Sequence, residues 1–194
     1  VHWAIDLGTT NCAVARWDPV EQHANLLRMP AICRDPEGTD PLAAPGVIPS
    51  ATEVVDDTSL AARVGRLPWV SHQVFWGRQA RIGRQALEAN FAQPRPTFVE
   101  SFKPLLQHEA SRPIANLAGR QLTARDVARR YVRELLAEVQ RETGVRVRSI
   151  TLTAPVEAYE GYRAELRALF EAQGVRVERF VDEPVAAAAG YGLS

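Results

Sequence analysis

The stretch that most constrains the fold runs from Ile5 to Asn11, close to the start of the 194-residue sequence. It is Ile-Asp-Leu-Gly-Thr-Thr-Asn, and it lies between two mostly apolar runs, residues 2–5 and 12–15. Short apolar runs that flank Gly, Thr and Asn predict two antiparallel strands joined by a turn. We therefore expect one carboxylate, one glycine and two hydroxyls at the tip of a hairpin.

The residue types in this turn suit a bound phosphate. We expect Gly8 to adopt backbone angles closed to other residues, so that consecutive N–H groups converge on an anion. Thr9, Thr10 and Asn11 add side-chain donors. Asp6 is a hard oxygen ligand that can hold Mg²⁺ directly or through its water shell. An ordinary hairpin turn uses the same residue types, so the turn alone does not decide between the two interpretations.

Composition limits the classes of partner that we expect. The 23 basic and 23 acidic residues give zero net charge, which predicts no general attraction to nucleic acid or to an anionic membrane. No apolar run approaches the ~20 residues that span a bilayer, and no signal peptide is recognised. Cys12 and Cys33 lack metal-site spacing, and we expect buried reduced thiols in preference to a disulfide. These features predict a cytoplasmic location.

The second half of the sequence alternates helix and strand patterns. In order, it has a helix from Thr123 to Gly144, a strand over 149–154, a helix over 158–173, a strand over 175–181 and a helix that opens at Asp182-Glu183-Pro184. Such alternation predicts parallel strands joined by crossover helices. Together with the hairpin, it predicts an α/β fold with a mixed sheet of about five strands and flanking helices.

A turn-rich region follows the N-terminal strands and predicts an excursion from the main sheet. Residues 35–46 are rich in Pro, Gly and Asp. Strand patterns then appear over 47–55 and 73–77, and a short helix over 82–90. We therefore expect a core formed by residues 1–35 and 119–194, with a small inserted α+β subdomain over 36–118.

Four segments of this sequence, taken in order, match a known pattern. They are Asp6-Leu7-Gly8-Thr9-Thr10-Asn11, Ser101-Phe102-Lys103, Leu152-Thr153-Ala154-Pro155, and Asp182-Glu183-Pro184 with the small residues that follow. In this order they resemble the nucleotide-binding domain of the seventy-kilodalton, DnaK-type heat-shock chaperones, which belongs to the actin-like ATPase superfamily. The resemblance covers most of the chain and is weakest over residues 34–70. It implies a ribonuclease H-like lobe.

The resemblance implies ATP or ADP and Mg²⁺ as ligands. Asp6 is similar to the family's acid at the magnesium shell, while Thr9 and Thr10 are similar to its phosphate binders. Lys103, the sole lysine of the sequence, resembles the lysine that reaches the γ-phosphate. A compact ammonium suits that task because it offsets charge on phosphate oxygens. Glu183 resembles the acid that holds a magnesium-bound water and helps position the attacking one.

Two further residues resemble the family's allosteric elements. Pro155 is similar to its proline switch, and Arg163 to the arginine that relays nucleotide state toward a peptide-binding domain. The sequence also departs from the family: Ile48 stands where Thr is usual, Asp182 replaces a usual Asn, and Pro104 directly follows the lysine.

The family domain is roughly twice as long as this sequence, so we expect only its first lobe here, with the second lobe and its adenosine pocket absent. By resemblance, partners are that second lobe, a peptide-binding domain, a J-domain co-chaperone and a nucleotide exchange factor. The expected function is the N-terminal half of a chaperone ATPase, nearly inactive alone. Two alternatives remain: a non-catalytic scaffold with the same lobe, and another superfamily member such as a sugar kinase or a filament former.

Overall fold

The computed structural model describes residues 2–38, 46–55, 77–156 and 160–190. Within these ranges the chain forms a mixed α/β fold with one large mixed sheet, a small sheet, a separate hairpin and five helices. The strand predicted over 73–77 lies outside the described residues except for Gly77.

The strands are named in chain order. They are β1 (Trp3–Leu7), β2 (Asn11–Asp18), β3 (His23–Leu26), β4 (Ile48–Pro49), β5 (Thr52–Val54), β6 (Ala80–Ile82), β7 (Phe98–Val99), β8 (Pro113–Leu117), β9 (Arg120–Thr123), β10 (Ser149–Ala154) and β11 (Arg176–Asp182). The helices are α1 (Arg84–Ala92), α2 (Lys103–Glu109), α3 (Ala124–Thr143), α4 (Glu160–Glu171) and α5 (Glu183–Gly190).

The large sheet has the strand order β11-β10-β1-β2-β3, and β4 pairs with β2. The hairpin β1–β2 is antiparallel, whereas β10 runs parallel to both β1 and β11. This confirms the predicted combination of an N-terminal hairpin with parallel crossovers. The sheet has six strands and not five, because the strand pattern predicted over 47–55 splits into β4, which joins the large sheet, and β5, which does not.

One face of the large sheet is covered by helices α3 and α4. Along β1 the alternate residues Trp3, Ile5 and Leu7 are buried, as the period of a strand requires. The buried stripe of α3 includes Tyr131 and Leu135, and α4 buries Tyr162, Leu166, Leu169 and Phe170. The core therefore lies between this face of the sheet and the two longest helices.

Helix α3 begins and ends where the sequence predicts. The Thr123 side chain accepts a hydrogen bond from the backbone N–H of Asp126, while the Asp126 carboxylate accepts from the Thr123 N–H, which completes a capping box. Gly144 ends the helix with a left-handed backbone.

Two smaller sheets complete the described residues. Strands β6, β5 and β7 form the three-stranded sheet, and α1 packs beside it. The β8–β9 hairpin and helix α2 are not predicted from the sequence. At the hairpin tip Ala118 and Gly119 both have positive φ angles, 49° and 84°, as a two-residue hairpin turn of type I′ requires. The usual Asn-Gly signal is missing there. Among the described helices, none combines the length and apolar character that crossing a membrane requires.

Candidate phosphate-binding site

The carboxyl ends of three parallel strands meet at one edge of the large sheet. Parallel pairing of Ile5 with Leu152 places Asp6 level with Thr153, whose hydroxyl donates a 2.6 Å hydrogen bond to the Asp6 carboxylate. Thr153 is in turn paired with Val181, two residues before Glu183. Ligands of open α/β sheets bind at this edge, where strands end and helices begin. Strand register thus brings both candidate acids to the same edge of the sheet.

Two serine side chains hold the turn between β1 and β2 through hydrogen bonds to its carbonyl groups. The Ser50 hydroxyl donates to the Gly8 carbonyl at 2.9 Å, and the Ser101 hydroxyl donates to the Thr9 carbonyl at 2.6 Å. The N–H and C=O of a trans peptide point in opposite directions, so these contacts turn the N–H groups of Thr9 and Thr10 away from the serines. Successive N–H groups arranged in this way favour an anion.

Gly8 is required in this turn for a reason that differs from the one predicted. Its φ angle is not positive, so the turn does not need backbone angles closed to other residues. Instead, a Cβ atom at this position would lie 2.2 Å from the carbonyl oxygen of Asn11. The tight approach of the two ends of the turn leaves no room for a side chain.

Lys103 is the first residue of α2, and its position is fixed by the buried residue before it. Phe102 is fully buried, with its ring centroid 5.2 Å from that of Tyr131 on α3. Pro104 lies in the first turn of α2, where a missing N–H leaves no helical hydrogen bond unmade, so it is compatible with this placement. Only 4% of Lys103 is exposed. A nearly fully buried lysine needs a partner for its charge.

That partner is Glu183, the first residue of α5. The Lys103 Nζ donates to the Glu183 Oε1 at 2.9 Å, across 80 positions of sequence. The two side chains differ in exposure, since 6% of the lysine side chain and 40% of the glutamate side chain are accessible. The ammonium therefore lies beneath a carboxylate that faces outward. The sequence-predicted cation and acid are brought into direct contact.

The buried hydroxyl of Tyr162 lies close enough to Glu183 and Asp6 to interact with their charges. Tyr162 on α4 is fully buried, and its hydroxyl has no hydrogen-bond partner among the described residues. Burial raises the pKa of Tyr162, and the negative charges of Glu183 and Asp6 raise it further, so it stays a neutral donor. A buried donor without a protein partner is suited to a water or a ligand oxygen.

The oxygen groups at this edge fit a hydrated magnesium ion better than a dehydrated metal. Among the described residues, no group of three or more His, Cys, Asp or Glu side chains is placed to hold a metal. Mg²⁺ usually keeps several waters and is held by one or two carboxylates plus phosphate oxygens. Asp6 and Glu183 supply two such carboxylates, and the Tyr162 hydroxyl supplies a donor to a water, while the Thr153 hydroxyl donates to Asp6 and can only accept from one.

The predicted allosteric residues lie beside this edge and not in it. Pro155 directly follows β10. Arg163 donates a 2.9 Å hydrogen bond to Asp182, the residue before Glu183, and its guanidinium carbon lies 5.8 Å from the centroid of the Phe180 ring. Asp182 is one of the departures from the family pattern, and as a carboxylate it gives Arg163 an ion-pair partner. Arg163 is therefore anchored to β11.

Cys12 and Cys33 are both buried and free. The burial of both thiols is confirmed, and their reduced state stays a prediction. Cys12 lies 3.3 Å from the Ser50 hydroxyl, and burial raises the pKa of its thiol despite that contact.

Three residues of the site carry no role in the sequence argument. Ser50, Ser101 and Thr153 act through hydrogen bonds to the turn and to Asp6, over separations of 42, 92 and 147 residues. Ser101 and Thr153 fall in segments that the resemblance singles out, but without an assigned role. Common hydroxyl residues at such separations give no local signal.

No known protein-family model matches this chain.

Proposed function

We propose that this chain is a nucleotide-binding lobe of the actin-like ATPase superfamily, of the DnaK-type chaperone kind. Its proposed ligand is ATP or ADP with Mg²⁺. The observation that carries the proposal is the ion pair between the buried Lys103 and the partly exposed Glu183 at the carboxyl edge of the parallel strands. A buried cation at a strand edge, beside a turn whose N–H groups point away from Ser50 and Ser101, suits phosphate oxygens.

Each residue then has a part in holding the phosphates. The N–H groups and hydroxyls of Thr9 and Thr10 would bind phosphate oxygens, and Lys103 would offset their charge. Asp6 and Glu183 would hold magnesium through its waters, which supplies charge neutralisation at the transferring phosphate. Because Thr153 already fixes the Asp6 carboxylate, that acid needs no rearrangement to accept a water.

The same resemblance proposes what surrounds this lobe. An opposing lobe would supply the adenosine pocket and a further acid, and hydrolysis would change the affinity of a peptide-binding domain. Pro155 and Arg163 would connect the two events, since Arg163 contacts Asp182 next to Glu183. A J-domain co-chaperone and a nucleotide exchange factor are the proposed partners.

The proposal is tested by titrating the ¹⁵N-labelled chain with Mg-ATP. We expect shifts in the amide signals of residues 8–11 and in the single lysine ammonium signal, which belongs to Lys103. A lobe alone offers part of the nucleotide contacts, so we expect weak binding. Lys103→Met removes the charge and keeps most of the side-chain volume, so it should weaken the binding of Mg-ATP that the amide signals of residues 8–11 report.

The matched control is Arg112→Ala, which also removes one positive charge. Arg112 is exposed and contacts only Glu109 among the ion pairs described. It should leave the titration unchanged. If millimolar Mg-ATP leaves the signals of residues 8–11 in place, the nucleotide proposal is wrong.

A non-catalytic scaffold is the second candidate, and one observation favours it. The Lys103–Glu183 pair neutralises both charges without any ligand. If the pair is purely structural, Mg-ATP gives no shifts in the unmodified chain. The double variant Lys103→Met with Glu183→Gln should then still bind whatever protein the scaffold binds. The titration therefore separates the two candidates.

A further inference from the structure

A cavity of about 590 Å³ opens beside the β1–β2 turn, and Lys103 is not part of its lining. Its polar lining residues are Thr9, Thr10, Arg34, Glu100 and Ser101, and its apolar wall includes Leu87. Arg34 comes from the part of the sequence that departs most from the family pattern. The cavity therefore combines the phosphate turn with a cation that the resemblance does not assign.

The backbone that carries Arg34 is fixed in the core. The N–H groups of Ile32 and Cys33 both donate to the Met29 carbonyl, at 3.0 and 2.9 Å, and all three side chains are buried. The Arg34 N–H then donates to the Val47 carbonyl at 2.9 Å.

The start of helix α1 also holds the segment that carries Arg34. The Arg84 backbone N–H donates to the Ile32 carbonyl at 2.9 Å, and its guanidinium donates to the carbonyls of Cys33 and Pro30. Gly83 has a φ of +61°, and a Cβ there would lie 2.2 Å from the Ile32 carbonyl oxygen. This close packing distinguishes Arg34 from an arginine on a loose surface loop.

The Arg34 guanidinium is oriented toward the turn by Asn11. One terminal nitrogen donates to the Asn11 side-chain oxygen at 2.9 Å. Among the residues that the structure describes, no carboxylate forms an ion pair with Arg34. A guanidinium has five N–H donors in a planar fork, and within the described part of the chain the Asn11 side chain is the partner that the Arg34 guanidinium contacts.

We propose that Arg34, Thr9 and Thr10 form a second anion subsite that binds a phosphate group in this cavity. Arg34 supplies the charge and a planar pair of donors, a geometry that matches two oxygens of a phosphate. The two threonines supply hydroxyls, and Ser101 holds the Thr9 carbonyl in place at 2.6 Å. The inference rests on the proposed function for its setting, but the subsite is defined by residues other than Lys103.

Glu100 limits how strongly the subsite binds. Its carboxylate lines the same cavity and is exposed. A negative charge there repels a phosphate, so Glu100→Gln should strengthen binding. Arg34→Ala should weaken it, because a hydrogen bond to a charged group is lost. The two variants act on the same ligand in opposite directions, which generic destabilisation does not produce.

The test is a titration of the ¹⁵N-labelled chain with inorganic phosphate and, separately, with Mg-ATP. In the unmodified chain we expect phosphate to shift the amides of Thr9 and Thr10 and the Arg34 side-chain Nε–H signal. Arg34→Ala should weaken the dissociation constant about 10- to 100-fold, and Arg34→Lys less. Arg112→Ala, with the same change in net charge, should have no effect.

The two arms distinguish the source of the phosphate group. If inorganic phosphate shifts the Arg34 signal, the subsite binds free phosphate. If only Mg-ATP shifts that signal, the subsite binds the terminal phosphate of the nucleotide. Either result supports the subsite. Equal affinity in the unmodified chain and Arg34→Ala, or no shift at Arg34 with either ligand, overturns it.

Failure of the subsite and failure of the proposed function give different results. If Mg-ATP shifts the Lys103 signal and Arg34→Ala changes nothing, the nucleotide proposal stands and the subsite is wrong. If phosphate shifts Arg34 and Mg-ATP never shifts Lys103, the subsite stands and the nucleotide proposal is wrong. Lys103→Met should leave binding of inorganic phosphate at Arg34 intact.

Discussion

The Lys103–Glu183 pair predicts an asymmetry between two single substitutions that each remove one charge. Glu183→Gln leaves a buried ammonium without its carboxylate, because only 4% of Lys103 is exposed. Lys103→Met leaves a carboxylate that is 40% exposed and can be hydrated. The first change should therefore destabilise the fold much more than the second.

The magnitude follows from the geometry of the pair. At 2.9 Å, the Coulomb attraction is about 6 kcal/mol at an effective dielectric constant of about 20. Desolvation of the ammonium offsets much of this, and breaking a fully buried pair on one side costs about 3–5 kcal/mol. Because Glu183 is partly exposed, we expect about 1–3 kcal/mol for Glu183→Gln and less than about 1 kcal/mol for Lys103→Met.

The assay is urea unfolding followed by fluorescence of the four tryptophans and by circular dichroism. The double variant should be about as stable as Lys103→Met alone, since no unpaired buried charge remains. Equal losses for the two single variants, or a larger loss for Lys103→Met, would refute the assignment of Lys103 as the buried member. A Lys103 ammonium signal in rapid exchange with water would also contradict the burial of Lys103.

Two further substitutions test the supports of the site and of α3. Gly83→Ala should destabilise the chain by about 2 kcal/mol or more, because a Cβ there meets the Ile32 carbonyl at 2.2 Å and the φ angle is positive; urea unfolding measures this. Asp126→Asn should cost about 1 kcal/mol at neutral pH. Burial alone would raise the pKa of Asp126, but hydrogen bonds from Thr123 outweigh it and hold that pKa below its usual 3.8. A lowered pKa means that the stability gained is present above the unfolded pKa, so the difference from Asp126→Asn should vanish as pH falls through the lower folded pKa; a difference that persists in acid would contradict this.

Sequence patterns predict the local elements well where several signals agree. The capping residues Thr123 and Asp126, the apolar stripe that follows and Gly144 all mark one helix, and the structure confirms both ends. The β8–β9 hairpin was missed because its turn is Ala118-Gly119, and alanine seldom adopts a positive φ. The split of residues 47–55 between two sheets was missed because strand propensity does not specify a partner strand.

The site was predicted in part. The residue types Asp6, Thr9, Thr10, Lys103 and Glu183 come from short motifs, and their assigned roles stay predictions. Their supports come from elsewhere in the chain. Gly8 shows what sequence motifs cannot predict. The motif predicts the glycine, but the structure shows that a glycine is needed because of the close approach to the Asn11 carbonyl and not because of a φ angle.

The sequence by itself determined the secondary structure around the turn and the parallel order of the last strands, because these depend on neighbouring residues and on hydrophobic period. Only the tertiary structure decided which charges meet. Lys103 reaches Glu183 across 80 residues, and Thr153 reaches Asp6 across 147. Such contacts depend on strand register and helix packing, and a polar residue carries the same local signal whether it meets a partner or water.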